Sequence, residues 1–438
     1  MRHSLSLAAL LLGPLAGCDN QSSAINCSAA GQKSYVYDFL RDWYLWQDSI
    51  PTDLNLGPLA GPEAVVDAVR YHPPEPATWY DSWSYVTTQA ANSAFYSSGR
   101  YVGIGISQQF DAAGALHITQ IFAGSPAAAA GLVRGDIIDT INGLSPQSIQ
   151  AANSWATAWG DNTAGVQVAL GITDASGNAS QLTLTKAAVT IASVQSSAVL
   201  SVAGNKVGYV LLDDFIDTTP GELNAAFDGF LSAGIADLVL DIRYDGGGLV
   251  SGAQYLASLI GGSAAANQIF ASFQFNSRHA GQNFSLAFAG DAPTLVHALS
   301  VPRVFVLTTK ATASASELVI NGLAPYMTVI QVGTDTDGKP VGMLEQSFCD
   351  QALVPIMFAS SNAAGQGGYF SGLTPACAAA DDFGHDLGDP AEALLAAALY
   401  YVQNGSCPPV AGTNSAQALG PERYWFALPG LGGIHGGL

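Results

Sequence analysis

Three small hydroxyl residues, Thr312, Ser314 and Ser316, stand directly before an acidic residue and an apolar run in TKATASASELVING, residues 309–322. A serine at such a position either caps a helix or acts as a nucleophile. Glu317 favours the capping interpretation, because a glutamate three residues after a serine completes a capping box. The nucleophile interpretation requires a second group that removes the hydroxyl proton. The sequence must therefore supply a base for Ser314.

A lysine is the base that the sequence predicts. None of the seven histidines lies in a recognisable Ser/His/Asp signature, whereas Lys339 follows a predicted buried strand in GTDTDGKPVGM. Lys339 would therefore lie at the same edge of the sheet as Ser314. A lysine amine has an ordinary pKa of about 10.4 and accepts a proton at neutral pH only where burial lowers that pKa. Asp335 and Asp337, if close to the amine, would oppose this effect.

Alternating strands and helices from residue 206 onward predict the elements that position these side chains. Nearly continuous apolar runs are typical of buried parallel strands. The predicted strands cover 207–212, 236–243, 301–309 and 328–333, and the predicted helices cover 220–234, 249–262, 314–326 and 390–402. This alternation predicts an α/β domain with a mostly parallel sheet. Ser314 would stand at the carboxyl ends of the strands, where ligands bind, and the free N–H groups of the helix start would stabilise an oxyanion.

Two smaller regions precede this domain. Residues 33–98 contain an aromatic-rich amphipathic stretch broken by prolines, which predicts a small helical region. Residues 99–190 contain short alternating strands and the segment SPAAAAGLVRGDIIDTING, which resembles a PDZ domain of the bacterial protease type. Such a domain would hold a peptide chain terminus through backbone N–H groups and a free strand edge. The residues that would bind it are Gly103, Ile104, Gly105 and Ile106. Arg134 and Asp136 are interpreted as turn residues.

Charge and the N-terminus restrict the partners and the location. The net charge of −20 argues against nucleic acid, whose phosphates need a basic surface. Residues 4–16 are apolar or small, follow a short basic start, and are too few to span a bilayer. The following LAGC resembles a lipobox and predicts a signal peptide at 1–17, a lipid-bearing Cys18, a tether at 18–32, and a membrane-anchored lipoprotein of the bacterial envelope or periplasm. An ordinary secretory signal is the alternative.

Four further cysteines are predicted to form disulfides, because an even number in an exported protein favours them. They are Cys27, Cys349, Cys377 and Cys407. Three pairings are possible. Cys349–Cys377 is favoured because these two residues flank one compact segment, which leaves Cys27 with Cys407. No cysteine or histidine spacing indicates a metal site.

Several motifs, in one order, resemble the carboxyl-terminal processing (tail-specific) proteases, a family of Ser/Lys endopeptidases. The motifs are SASE followed by GK, the segment LVLDIRYDGGGLVSGAQYLASLI, the strand KVGYVLLDDF and the closing helix GDPAEALLAAAL. With the PDZ-like region, the resemblance covers residues 99–403. It implies a crotonase-like catalytic domain at 191–407, and the composition of residues 408–438 predicts a Pro/Gly-rich tail. It also implies polypeptide substrates selected through their C-terminal tails, and chemistry without a metal or an organic cofactor.

The same resemblance assigns roles to single residues. It implies Ser314 as nucleophile and Lys339 as general base, with Arg243 and Asp241 fixing the nearby loop. The implied oxyanion donors are the backbone N–H groups of Ala315 and Gly247, with Gly248 as the neighbouring candidate.

Two positions depart from the family pattern. Met343 stands where many members have a glutamine four residues after the lysine, and Pro325 stands where some members have an aspartate. Both changes leave the Ser/Lys pair intact but remove groups that would tune it.

Two alternatives remain at this point. His385 with Asp381 or Asp386 is a second possible base, although a surface histidine in an acidic loop is the preferred interpretation. The alternative function is non-catalytic binding of a peptide or a hydrophobic ligand, because the same catalytic fold occurs in retinoid-binding proteins.

Overall fold

The computed structural model describes residues 25–74 and 79–409. The predicted signal peptide, Cys18 and nearly all of the predicted Pro/Gly-rich tail lie outside the described residues. Within the described ranges, no helix is both long enough and apolar enough to cross a membrane.

The N-terminal region is built from three helices and one strand. Its first helix starts where the Ser28 hydroxyl accepts a hydrogen bond from the Gly31 N–H at 3.2 Å. The elements are α1 (Ala29–Trp43), α2 (Pro62–Val69), β1 (Tyr85–Thr88) and α3 (Gln89–Ser98), with a 3-10 turn at Gln47–Ser49. The predicted helical region is confirmed. The strand was not predicted, and it pairs antiparallel with Gln351–Val354 late in the chain, so it joins this region to the C-terminal domain.

The PDZ-like region forms an antiparallel five-stranded sheet with short helices packed on it. Its elements are β2 (Arg100–Gly103), β3 (Ile106–Phe110), β4 (Leu116–Ile121), α4 (Pro126–Ala129), β5 (Ile137–Ile141), α5 (Pro146–Ala151), α6 (Trp155–Trp159), β6 (Gln167–Thr173), β7 (Ala179–Thr185) and β8 (Ala187–Thr190). The strand order is β3-β4-β5-β6-β7, which makes β3 an edge strand. β2 pairs with β8 and closes the base of the region.

A six-stranded, mostly parallel sheet is the centre of the C-terminal domain, as the sequence predicts. The elements are β9 (Val194–Val202), β10 (Asn205–Leu212), α7 (Thr219–Ala233), β11 (Asp237–Asp241), α8 (Val250–Ala265), β12 (Ile269–Phe275), β13 (Phe284–Ala287), α9 (Ala292–Leu295), β14 (Arg303–Thr308), α10 (Ala315–Leu323), β15 (Thr328–Gly333), β16 (Val341–Met343), β17 (Gln346–Phe348), β18 (Gln351–Val354), β19 (Ile356–Ser361), β20 (Cys377–Ala378) and α11 (Ala393–Asn404), with a 3-10 turn at Ala280–Gln282. The order is β20-β15-β14-β11-β10-β9, and only β9 is antiparallel to its neighbour.

The period-two geometry of the strands explains why helices cover both faces of this sheet. On β10, Val210 and Leu212 belong to the apolar core under α7, α8 and α10. Tyr209 and Leu211, which alternate with them, belong to the core under α11. Because successive side chains point to opposite faces, one apolar run fills both cores. α7 ends as predicted at Gly234, which has the left-handed conformation (φ 66°) that favours glycine.

A second sheet was not predicted. It is antiparallel, with the order β13-β12-β19-β16, and its edge strand β16 begins two residues after Lys339. A third, three-stranded sheet, β1-β18-β17, carries the contact with the N-terminal region.

All four cysteines in the described ranges form disulfides, but the favoured pairing is wrong. Cys27 pairs with Cys349, and Cys377 pairs with Cys407. The physical reason is the packing of helices. Cys349 lies in the β17–β18 turn, whose neighbours pack on α1, and α1 starts just after Cys27. Cys377 lies on edge strand β20, beside the end of α11, and that end precedes Cys407.

Candidate active site

The carboxyl ends of β11 and β14 bring two loops together at one edge of the central sheet. Side-chain hydroxyls of the β14–α10 loop fasten it to the loop after β11. The Thr312 hydroxyl donates to the Ile242 carbonyl at 2.8 Å, and the Ser316 hydroxyl donates to the Asp245 carbonyl at 3.0 Å. Two of the three hydroxyls singled out in the sequence are therefore structural. Ser314 is half-buried and lines a cavity.

Ser314 has an uncommon backbone conformation. It is a non-glycine residue with φ 56° and ψ −115°, at the N-cap position of α10. Such conformations typically cost about 1–3 kcal/mol and persist only where surrounding contacts hold them. One such contact is a hydrogen bond from the Ser314 N–H to Glu317 Oε2 at 2.9 Å. The capping box expected from the sequence is thus present, and the Ser314 hydroxyl donates to no acceptor among the described residues.

Lys339 is a buried amine. The residue is 8% exposed, and burial lowers the pKa of its amine to about 8. The carboxylates of Asp337, Asp81 and Glu317 oppose this effect, in that order, but they are outweighed. The Nζ lies 3.8 Å from Met343 Sδ, at the position where the resemblance noted above implies a glutamine. The burial that the base role requires is therefore present.

Ser314 and Lys339 line one cavity of about 1550 Å³ between the three regions of the chain. The glycine loop after β11 forms part of the wall. Trp83 enters from the N-terminal region, and Gln120 and Phe122 enter from the PDZ-like region. In the described structure the Ser314 hydroxyl and the Lys339 amine are not hydrogen-bonded to each other. Catalytic hydrogen bonds are often long before substrate binds and shorten in the substrate complex.

Two of the three backbone N–H groups that the sequence predicts as oxyanion donors are available for that role. Among the described residues, neither the Ala315 N–H nor the Gly248 N–H has an acceptor. The Gly247 N–H, by contrast, donates to Asp245 Oδ1 at 2.8 Å. Gly247 contributes through its size instead, because an added Cβ would lie 2.9 Å from the Ser314 Cβ. Of the two candidate glycines, Gly248 is therefore the one whose N–H has no acceptor among the described residues.

Glu317 connects the Ser314 loop to the Lys339 loop, a role that the sequence interpretation missed. Its fully buried carboxylate accepts N–H bonds from Ser314 through Oε2, from Lys339 through Oε2 and from Gly338 through Oε1, at 2.8–2.9 Å. The Thr336 hydroxyl also donates to Oε1. Burial raises the pKa of Glu317 to about 7. The capping-box pattern identified this residue, but only the fold shows that the lysine loop binds the same carboxylate.

The predicted structural pair Asp241 and Arg243 forms a buried ion-pair network. Arg243 is 0% exposed and pairs with Asp241 at 2.8 Å, Glu392 at 2.7 Å and Asp381 at 3.2 Å. The network fixes the start of the glycine loop. Arg134 extends it into the PDZ-like region by donating to Asp381 at 3.0 Å.

Arg134 also donates to the Tyr244 hydroxyl at 2.8 Å and lies over the Phe383 ring. The interpretation of Arg134 as a turn residue is therefore incomplete, since its side chain couples the PDZ-like region to the residue that precedes Asp245. No signal in the local sequence indicates these partners, which lie 110 and more residues away.

The loop predicted to bind a chain terminus, Gly103 to Ile106, connects β2 to edge strand β3. Gly105 has φ 86°, and a Cβ there would lie 2.0 Å from the Ser125 Cβ, so only glycine fits. The carbonyls of Ile104 and Gly105 accept bonds from within the region, while β3 pairs on one side only. The free edge that the peptide-binding interpretation requires is present.

The remaining titratable candidates do not form a second site. His385 is exposed and pairs with Asp382 at 2.7 Å, rather than with Asp381 or Asp386, and this contact raises its pKa. Asp213 and Asp214 lie at the end of β10 near Asp245 and have raised pKa values because they are buried. Across the described ranges, no cluster of three or more His, Cys, Asp or Glu residues has a metal-binding arrangement.

Comparison with known proteins agrees with this architecture. Residues 206–367 match the model of peptidase family S41, residues 31–85 match the peptidase S41 N-terminal domain, and residues 117–155 match a PDZ domain. The crystal structure of an S41 protease from Bacteroides fragilis NCTC 9343 is similar with a TM-score of 0.63 and 24% identity, over 84% of this chain and 96% of that one. At that identity, the structural similarity supports the fold alone.

Two relatives are similar in sequence. A chloroplastic C-terminal processing peptidase of Tetradesmus obliquus is 28% identical over 56% of this chain and 52% of its own length. A CtpA-like serine protease of Staphylococcus saprophyticus is 25% identical over 73% of this chain and 59% of its own length. The alignments thus span little more than half of each relative. Three family models are thus matched along one fold: the chain carries a peptidase S41 N-terminal domain, a PDZ domain and a segment that matches peptidase family S41.

Proposed function

We propose that the protein is a serine endopeptidase in which Ser314 is the nucleophile and Lys339 is the general base. The observation that carries this proposal is the shared cavity: Ser314, whose hydroxyl donates to no acceptor among the described residues, lines it together with a buried amine. A pKa of about 8 leaves about a tenth of the amine neutral at pH 7. That fraction suffices for a base whose pKa lies close to the working pH.

The proposed reaction proceeds in two stages. Lys339 Nζ removes the Ser314 proton while Oγ attacks the peptide carbonyl carbon. The N–H groups of Ala315 and Gly248 stabilise the resulting oxyanion, and losing one such donor typically costs about 10²–10³ in rate. The lysine ammonium then protonates the departing amine, which leaves an acyl-enzyme. Water, deprotonated by the same lysine, hydrolyses that ester and restores Ser314.

We propose that the PDZ-like region selects substrates through their C-terminal tails. The support is the unpaired edge of β3 next to the Gly103–Ile106 loop, which offers main-chain hydrogen bonds to an extended peptide. One of the relatives named above is a C-terminal processing peptidase, which favours the same substrate class. Binding of a fluorescent peptide with a free carboxyl terminus, compared with its C-terminal amide, tests this proposal. Equal binding of the two would contradict it.

We also propose that the protein is exported and anchored in the bacterial envelope through a lipid on Cys18. The support is the LAGC motif after an apolar stretch. Mass spectrometry of the membrane fraction should show a lipid-modified N-terminal peptide that disappears in Cys18→Ala. Recovery of the unmodified wild-type protein from the soluble fraction would contradict the anchor.

Casein or peptide hydrolysis by the purified protein tests the activity. Ser314→Ala and Lys339→Ala should each reduce hydrolysis to background, because one lacks the nucleophile and the other lacks the base. Matched controls are Ser251→Ala, an exposed serine in the same cavity wall, and Lys206→Ala, an exposed lysine, and both should hydrolyse normally. Equal activity in the wild type and both site variants would exclude the peptidase. Loss in both would exclude a purely non-catalytic binding protein.

A further inference from the structure

The N-terminal region places one aromatic side chain against the proposed base. Trp83 follows Asp81, a fully buried residue whose Oδ1 accepts the N–H groups of Trp83 at 3.1 Å and Ser84 at 3.0 Å. The Tyr44 hydroxyl donates to the other oxygen of Asp81. The backbone that carries the indole is therefore fixed by buried hydrogen bonds. Its ring also stacks on Trp79, at 6.4 Å between centroids.

The indole of Trp83 lies close to Lys339 and to Asp337, the carboxylate that raises the pKa of Lys339 most. The Lys339 Nζ lies 5.9 Å from the centre of the ring. The indole N–H donates to Asp337 Oδ2 at 3.2 Å. Within the described ranges, this is the side-chain hydrogen bond that the Asp337 carboxylate has. No ion pair joins Asp337 to Lys339 there, although two positions separate them in the chain.

The other charged groups near Lys339 and Asp337 are held in place by contacts that do not involve the indole. Glu317 is held by the backbone of both site loops, and Asp81 is held by the turn before Trp83. Lys310, which faces Asp337, is bound to the Thr336 carbonyl at 2.7 Å. Asp337 is thus the carboxylate whose position depends on a single partner, and that partner is the indole.

Magnitudes show which effect of Trp83 dominates. A cation over an aromatic ring gains about 0.5–1 kcal/mol at exposed sites, which would favour the charged lysine slightly. A carboxylate that reaches an amine raises the amine pKa by about 1–3 units. Loss of water around the amine lowers the pKa and is already the largest influence on Lys339. A side chain that holds the carboxylate away therefore favours the neutral amine overall.

We propose that Trp83 is a positioning residue for Lys339: its N–H holds Asp337 away from the amine. This inference rests on the proposed function of Lys339 as the base. It also explains how the chain manages without the family glutamine, because Met343 offers the amine only a thioether contact. The N-terminal region is then part of the catalytic apparatus rather than an accessory.

The test follows the protonation of one amine. Amine acylation by a small active ester is measured against pH, and the Lys339 peptide is quantified by mass spectrometry in the wild type, W83F, D337N and W83F/D337N. W83F keeps a ring but removes the N–H donor. The pH midpoint of Lys339 acylation, which follows deprotonation of the amine, should therefore rise by about one unit or more. D337N should lower it. In the D337N background, W83F should no longer raise it, because no carboxylate remains to move.

The acidic limb of the pH profile of kcat/KM should shift in parallel with these midpoints. Trp79→Phe is the control, since this change alters the same aromatic cluster while leaving the indole–Asp337 bond in place, and its midpoint should match the wild type. D337N leaves the cluster intact and tests the same geometry if W83F does not fold. An unchanged midpoint in folded W83F, or in D337N, overturns the role of Trp83. The role of Trp83 is also overturned if W83F raises the Lys339 midpoint equally in the D337N background.

The two proposals fail in different ways. Acylation of Lys339 does not require hydrolysis, so it reports on the amine even in an inactive protein. Absence of hydrolysis that depends on Ser314 overturns the proposed function. Hydrolysis that depends on Ser314, with midpoints that ignore Trp83, overturns this inference alone.

Discussion

Replacing Lys339 by methionine should make the protein more stable while abolishing hydrolysis. In the unfolded chain the amine has its ordinary pKa of 10.5, whereas in the folded protein burial lowers it to about 8. A difference of about 2.5 units corresponds to about 3 kcal/mol of destabilisation wherever the amine is charged in both states, which includes neutral pH. Methionine has a similar length and no charge, so K339M should recover most of that free energy at pH 7.

The pH dependence gives the prediction its sign. The folded state binds fewer protons than the unfolded state between pH 8 and 10.5, so the free energy of unfolding of the wild type rises across that interval. K339M lacks this group and should show no corresponding rise. The advantage of K339M should therefore shrink from about 3 kcal/mol at pH 7 to roughly half of that at pH 9.5.

Thermal unfolding at a series of pH values measures this difference. A gain of 1 kcal/mol raises the Tm by about 2–4 °C in a domain of 150–250 residues, so the expected shift at pH 7 is about 6–12 °C. K206M, at an exposed lysine, is the control and should leave the Tm nearly unchanged. A K339M variant no more stable than the wild type at pH 7 would refute the reasoning. So would an advantage that stays constant up to pH 9.5.

Three further changes test the surrounding contacts. Glu317→Ala leaves four hydrogen-bond donors unpaired, so it should abolish hydrolysis and lower the free energy of unfolding, measured with denaturant, by at least about 4 kcal/mol. A decrease of less than about 1 kcal/mol would contradict the bridging role of Glu317. Gly248→Ala puts a Cβ 2.2 Å from a backbone carbonyl oxygen and should reduce kcat by more than about 10²-fold. The control is Gly246→Ala, whose Cβ meets no atom within 4 Å and which should therefore be tolerated. Equal activities of the two variants would refute the packing argument. Arg134→Gln breaks a buried ion pair with Asp381 and the hydrogen bond to Tyr244. It should lower the free energy of unfolding by about 3–5 kcal/mol and increase hydrogen exchange in β4. Unchanged exchange would show that Arg134 does not couple the PDZ-like region to the C-terminal domain.

The central sheet could be predicted because its strands are buried on both faces. Each therefore appears in the sequence as a short, nearly continuous apolar run, as in β11 and β14. Glycine with positive φ marked the end of α7 in the same direct way. The second sheet gave no such signal, because β13 is mostly exposed and β16 has only three residues.

The candidate site was predictable in its chemistry but not in its connections. The hydroxyl cluster and Lys339 follow strands of the sheet, so their shared edge follows from topology. Which glycine N–H is free depends on Asp245, two residues before Gly247, and this choice of acceptor is a matter of backbone geometry. Glu317, Arg134 and Trp83 act on partners between 19 and 254 residues distant, and such contacts become visible only when the regions are assembled.

The disulfide between Cys27 and Cys349 has a topological consequence. It joins residues 322 positions apart and closes most of the described chain into one covalent ring, with the PDZ-like region, Ser314 and Lys339 all inside it. A single backbone cut anywhere in that ring opens it without releasing a fragment. A molecule nicked by a neighbouring copy would therefore remain one covalent unit until a reductant separates its two pieces.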